Sequence, residues 1–200
     1  MKVSKEKAAQ NRVALVEAAA RLFRERGIDG VGVAEIGKAA GLTHGALYAH
    51  FESKDALAAE ALAYGLERAH QRMARGPDGH APGLAELLDH YLSKERRDDL
   101  AGGCAMAASA SEIARQDGAV SACFSEGFER MATLFEAQLG ADGAMAARER
   151  ALAMVAAMIG GIAMSRAAVK ASPALADEIL AAVRQAIDRL AGEAIPPRAR

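Results

Sequence analysis

The stretch that most constrains this chain is GLTHGALYAHFESKDAL, residues 41–57. Gly41 reaches positive φ cheaply, which suits the residue just past a helix end. Thr43 is a good N-cap type for a new short helix, because its hydroxyl can accept an orphan backbone N–H. That helix would carry His44, Gly45, Tyr48 and His50 on one side, and Leu47 and Phe51 on the other. Ser53 then caps a further helix, with Asp55 in its first turn where the dipole favours negative charge. Helix, tight turn and short helix together make the geometry of a helix-turn-helix, whose second helix enters the DNA major groove.

The flanking sequence supports that geometry. Residues 7–26 read as a helix, with Val13, Leu15, Val16, Ala19, Leu22 and Phe23 on one face and Arg12, Glu17, Arg21 and Arg24 opposite or flanking. Gly27 stops it. The GIDGVG connection contains neither GxGxxG nor GK[ST], so it is no nucleotide loop. Residues 33–40 form a second short helix with Ile36 and Ala40 inward. After Lys54 a long helix runs through Leu57, Ala61, Leu62, Tyr64 and Leu66 to near residue 73. GPDGHAPG, residues 76–83, is the clearest breaker in the chain.

Beyond the breaker the pattern stays helical. Residues 84–96 form one amphipathic segment, with Leu84, Leu87, Leu88, Tyr91 and Leu92 inward. Gly102-Gly103 opens another that runs to near residue 115. Residues 120–139 place Phe124, Phe128, Met131, Leu134 and Phe135 on one face. Residues 144–170 are rich in alanine and methionine. Ser172-Pro173 is an N-cap followed by proline at the first helical position, a firm start for a last helix reaching residue 191. Pro196-Pro197 ends the order. Nothing alternates with period two and β-branched residues are sparse, so the expectation is an all-α fold without a sheet.

Charge is unevenly placed. The whole chain carries −1, yet residues 1–54 hold nine basic side chains against six acidic ones. A positive head on a negative body suits a protein that touches phosphate with one end only. No uninterrupted apolar run reaches the roughly 18 residues of a membrane span. The basic start, MKVSKEKAAQNR, has no apolar core after it and is not read as a secretory signal, so the expected compartment is the cytoplasm. Cys104 and Cys123 show no metal spacing and no disulfide framework. Cys104 follows two glycines at a helix start, which can lower a thiol pKa, but such a cysteine is more often a small buried hydrophobe.

The Gly-hydrophobic-Thr turn, the Leu-Tyr-x-His-Phe run and the Ser-Lys-acid-x-Leu start resemble the recognition segment of the tetracycline-repressor (TetR) family of bacterial transcriptional regulators. The resemblance covers residues 9–69, including the AAARLF run of the first helix, with the helix-turn-helix at about residues 32–51. Gly32 departs from the family's usual capping Ser or Thr, and Gly37 from its usual Ala. The second departure should cost that helix about 1 kcal/mol of propensity.

The resemblance implies an N-terminal three-helix DNA-binding head, and a C-terminal helical bundle over residues 76–200 for effector binding and dimerisation. It makes His44 and Gly45 the base readers, with Thr43, Tyr48, His50 and Lys54 on phosphates. Val33 joins this DNA-facing set, and Arg12 with the preceding lysines would reach the backbone as a flexible arm. Leu47 and Phe51 are read as core. The last two helices would form a four-helix interface between protomers, with Met154, Gly160, Gly161, Ile162, Ile179 and Val183 contributing. Candidate pocket linings are Tyr91, Met106, Phe124, Phe128, Met131, Phe135 and Met158, which suit a small hydrophobic or weakly polar effector.

The implied function is a homodimeric, ligand-responsive regulator, a repressor, on a pseudo-palindromic double-stranded operator. No cofactor, metal or membrane is implied. Two rivals come from other classes. Glu67-x-x-His70 has the spacing of di-iron bundles, but such sites need a second Glu-x-x-His and two further glutamates, and the chain holds no second copy of the motif. A protein-binding helical adaptor would explain the body but not the basic, capped head.

Overall fold

The computed structural model describes residues 5–75, 79–139 and 146–192; His44 is described by its backbone alone. Among these residues the chain is helical, with no strand. In order come α1 (Lys5–Arg26), α2 (Val33–Ala39), a 3-10 helix (His44–Ala49) and α3 (Lys54–Ala74), then α4 (Leu84–Tyr91) and α5 (Lys94–Asp98). They are followed by α6 (Ala105–Ile113), α7 (Gly118–Glu136), α8 (Ala147–Ala168) and α9 (Pro173–Ala191).

These helices divide into two compact units. The first holds residues 1–68 and 100–127, so α1, α2, the 3-10 helix and most of α3 pack with α6 and the start of α7. Its core is Leu15, Val16, Leu22, Phe23, Ile28, Val31, Ile36, Leu47, Phe51, Leu57, Ala58 and Ala61, all buried. Here the apolar stripe of α1 meets those of α2 and α3, as its period demands. Val13 breaks the expectation for α1: it lies 54% exposed. Val13 stands about half a turn round the helix from Leu15, away from the side on which Arg12, Leu15 and Ala19 meet their neighbours.

The second unit holds residues 69–99 and 128–200. In it α8 and α9 pack along each other. Met154, Val155, Met158 and Ile162 from α8, with Ala176, Leu180 and Ile187 from α9, are buried. The Ser172 hydroxyl accepts from the Leu175 N–H at 3.4 Å and Pro173 follows, the helix start read from sequence.

The expected single helix over residues 84–96 is two. Ser93 takes an extended backbone and its hydroxyl accepts the Arg96 N–H at 3.1 Å, so it starts α5 afresh. A serine inside a helical pattern can compete for backbone amides in this way. The short α5 is then gripped from two sides. Arg166 of α8 donates to the carbonyls of Arg97 at 2.8 Å and Arg96 at 3.1 Å. Asp177 of α9 accepts from Arg97 at 2.8 Å and Lys94 at 2.5 Å. The breaker at residues 76–83 is described only in part: Gly79 has φ +84° and Gly83 stands at the N-cap of α4, while 76–78 lie outside the described residues. The expected end at Pro196-Pro197 also lies outside them, as do residues 144 and 145 at the expected start of the penultimate helix.

Candidate nucleic-acid interface

The turn between α2 and the 3-10 helix is built from backbone. Gly41 has φ +70°, and the Leu42 N–H reaches back to the Gly37 carbonyl at 2.8 Å. A Cβ on Gly37 would sit 3.1 Å from the Thr43 carbonyl oxygen. The departure from alanine at 37 therefore has a local reason: the turn lies closer to α2 than a methyl comfortably allows. Gly32 at the N-cap of α2 gives no side-chain bond, so that cap is lost outright. An ion pair between Arg26 and Glu35, at 2.6 Å, ties the end of α1 to α2 instead. The same contact holds the Glu35 carboxyl below its ordinary value.

The short helix is 3-10, not α. Its first backbone bond is Ala46 N–H to the Thr43 carbonyl, at 3.0 Å. Thr43 occupies the N-cap with extended backbone, yet its hydroxyl makes no capping bond, which corrects the expectation from sequence. In the tighter i→i+3 ladder the Thr43 carbonyl takes the first bond, and the hydroxyl stays on the exposed side. Leu47 and Phe51 are buried and pin this helix to the core, as read from their spacing. Gly45 is exposed and Tyr48 is 59% exposed, on the opposite side. His50 and Val33 are half-buried. The His44 side chain falls outside what is described; its backbone opens the helix.

Lys54 is the first residue of α3, and the Ser53 hydroxyl caps that helix by accepting the Ala56 N–H at 3.0 Å. A lysine at a capped helix start stands beside free amides, an arrangement suited to a phosphate oxygen. Arg12 is different. It lies inside α1, its guanidinium 4.7 Å above the Phe51 ring and paired with Glu60 of α3. The flexible arm expected from sequence is helix from Lys5 onward, and Arg12 is spent on holding α1 to α3. Glu60 lies forty-eight residues away, which no local pattern could reveal.

The remaining site residues separate in the same way. Met154 and Ile162 are buried inside the protomer, and Gly161 meets Val183 of its own α9, where a Cβ would lie 3.0 Å from Cγ2. Met154, Gly161 and Ile162 thus face the protomer's own interior, while Val183 is half-buried. Gly160 has nothing near its missing Cβ, and Ile179 is half-buried. With Ala156, Met164 at 58% exposure and Leu175 at 48%, they leave an apolar outer face on α8 and α9. Of the pocket candidates, Tyr91, Met131, Phe135 and Met158 are buried in the second unit and Met106 in the first, while Phe124 and Phe128 are half-buried.

Comparison with known proteins matches this arrangement twice. Residues 15–61 fit the family model described as bacterial regulatory proteins, tetR family, and residues 81–176 fit that of the LmrA/YxaF-like transcriptional regulator C-terminal domain. The chain belongs to the TetR family. It is 39% identical over 75 residues to the HTH-type transcriptional regulator TtgR of Pseudomonas putida, covering 38% of this chain and 35% of TtgR. It is 35% identical over 104 residues to AcrR of Shigella flexneri, covering 47% of each. The chain thus matches less than half the length of these curated relatives. Among solved structures, a TetR regulator from Chloroflexus aurantiacus superposes with a TM-score of 0.73 at 25% identity, covering 92% of this chain and 97% of that one. Reduced NemR of E. coli does so with a TM-score of 0.71 at 19% identity, over 88% and 95%. The second likeness speaks for the fold alone.

Proposed function

We propose that this TetR-family chain is a homodimeric repressor that binds a pseudo-palindromic operator and leaves it when a small apolar effector binds the C-terminal region. The observation that carries the reading is the two-sided 3-10 helix. Leu47 and Phe51 fix one side in the core, and Gly45 and Tyr48 stand out on the other. Gly45 and the helix start at His44 let backbone and side chain meet base edges, while Thr43, Tyr48, His50 and Lys54 hold phosphates.

Dimerisation uses the outer face of α8 and α9. The most apolar eighteen-residue window of α8 has a mean hydropathy of 1.6, yet only 44% of it is buried within the protomer. A helix apolar on both sides and covered on one calls for a second apolar surface. A two-fold dimer presents two copies of the head, which sets the pseudo-palindrome and spaces the half-sites by one helical turn or a multiple. The effector reading rests on the buried methionine and aromatic side chains of the second unit. The structural neighbour FadR of Bacillus subtilis was solved with stearoyl-CoA, whose long acyl chain is in keeping with a ligand that carries an apolar part.

The test is selection of bound fragments from a genomic DNA pool by the full-length protein. A recovered pseudo-palindrome, whose preference at matching half-site positions relaxes in His44→Ala, is the expected result. Failure to enrich any sequence, with binding equal on random DNA, would refute the operator reading.

A further inference from the structure

Glu112 is a buried carboxylate on α6, 8% exposed, whose partners lie far away in sequence. Its Oε2 accepts the Ile28 N–H at 2.9 Å and its Oε1 the Asp29 N–H at 2.8 Å. These two amides follow the end of α1. The Gly27 N–H still bonds back to the Phe23 carbonyl at 2.9 Å and closes that helix. Gly27 itself has φ +78°, and a Cβ there would lie 3.0 Å from Glu112 Oε2. Glycine at 27 thus serves both the turn and the close approach of the carboxylate. A buried charge is costly unless hydrogen-bonded, and here each oxygen has an amide donor.

The corner so gripped leads directly into α2 and carries Ile28 and Val31, both buried. Two further bonds tie it to the segments flanking α6. Arg24 Nε donates to the Ala101 carbonyl, and Gln116 Nε2 donates to Asp29 Oδ1 at 3.4 Å. The end of α1 is therefore held from before and after α6. By sequence α6 belongs to residues 81–176, the C-terminal family match, yet it packs in the same compact unit as the helix-turn-helix.

We propose that Glu112 is a positioning residue for DNA binding: its two-oxygen grip on the Ile28 and Asp29 amides fixes the pose of the helix-turn-helix on α6. The proposal rests on the DNA-binding reading above, and the experiment separates the two.

The variant is Glu112→Gln in the full-length protein. Its carboxamide can accept from only one of the two amides, because the other end is a donor. Amide hydrogen exchange is measured without DNA, and affinity is measured for the operator recovered by selection. Ser109→Ala, which loses only the Ser109 Oγ to Ala105 carbonyl bond inside α6, is the control. In Glu112→Gln, exchange at Ile28 or Asp29 should rise about tenfold, the loss of one bond to a charged group. It should rise also at Leu42, Ala46 and Phe51, and operator affinity should fall about fivefold or more with the dimer mass unchanged. Faster exchange confined to residues 28 and 29, unchanged operator affinity, or the same effects from Ser109→Ala would each overturn the proposal. If Glu112→Gln does not fold, Glu112→Asp, with both acceptors on a shorter arm, is judged by the same pattern. Wild-type protein that binds no operator defeats the DNA-binding reading instead, and the exchange pattern still decides whether Glu112 holds the helix-turn-helix.

Discussion

Gly161 offers a perturbation whose sign depends on one neighbour. A methyl at this position would stand 3.0, 3.1 and 3.3 Å from Val183 Cγ2, Cγ1 and Cβ. Carbon atoms rest at about 3.5–4.0 Å, so α8 and α9 would have to part or Val183 to shift. Overpacking of this kind costs about 1–3 kcal/mol. Replacing a mid-helix glycine by alanine returns about 1 kcal/mol of propensity. Gly161→Ala alone should therefore be neutral to destabilising by about 2 kcal/mol, which for a chain of this size is a fall of several degrees in Tm. The decisive measurement is the double-mutant cycle with Val183→Ala. With the valine methyls gone, the clash disappears and only the propensity gain remains, so the coupling energy should be about 1–3 kcal/mol in favour of the pair. Urea unfolding at one fixed protein concentration reads it, because a dimer's apparent stability moves with concentration. If the two effects add to within about 0.5 kcal/mol, the close approach of α8 to α9 at Gly161 is wrong.

Three further outcomes are expected. Gly160→Leu places its side chain in open space within the protomer, so it should lower the dimer fraction by light scattering while leaving unfolding of the dilute protein nearly unchanged; an unaffected dimer would remove Gly160 from the partner-facing surface. Lys54→Ala should weaken operator and random DNA about equally and reduce the salt slope by about one, whereas a selective loss on the operator alone would contradict a phosphate role. Lys94 and Arg97 hold the Asp177 carboxyl below its ordinary value, and Arg97 does the same for Asp98. Depressed carboxylates stabilise the fold above the ordinary value of about 3.9, and that contribution is lost as pH falls through their lowered values. Acid unfolding followed below pH ~4 should thus be less steep in Asp177→Asn, and an unchanged acid limb would rule Asp177 out as a contributor.

What could be read in advance followed the range of the interactions concerned. The caps at Ser53 and Ser172 act over three residues, and the structure places both where the sequence did. The spacing of Leu47 and Phe51 likewise determined which side of the short helix goes inward. Ser93 was legible in kind, as a capping residue, because the apolar stripe of residues 84–96 ends at Leu92 and charged residues follow. Thr43 failed for a subtler reason: side-chain capping is a rule of α-helix starts, and this helix is 3-10.

The sequence by itself determined the all-helical fold, the capped starts of α3 and α9, the two-sided character of the 3-10 helix and the glycine turn at residue 41. All of these are set by residues within a few positions of one another, through dihedral preference, capping and helical period. Only the tertiary structure decided which of two possible roles a residue takes. Arg12 became a strut because Glu60 and Phe51 come beside it. Gly161 closed onto Val183 while Gly160, one residue earlier, was left open, because successive helical residues point about 100° apart and only one faces α9. Glu112 carried no sequence signal, since an acidic residue in a short helix ordinarily faces water. It gained its role when folding brought the bare amides of Ile28 and Asp29 within 3 Å of a carboxylate more than eighty residues away.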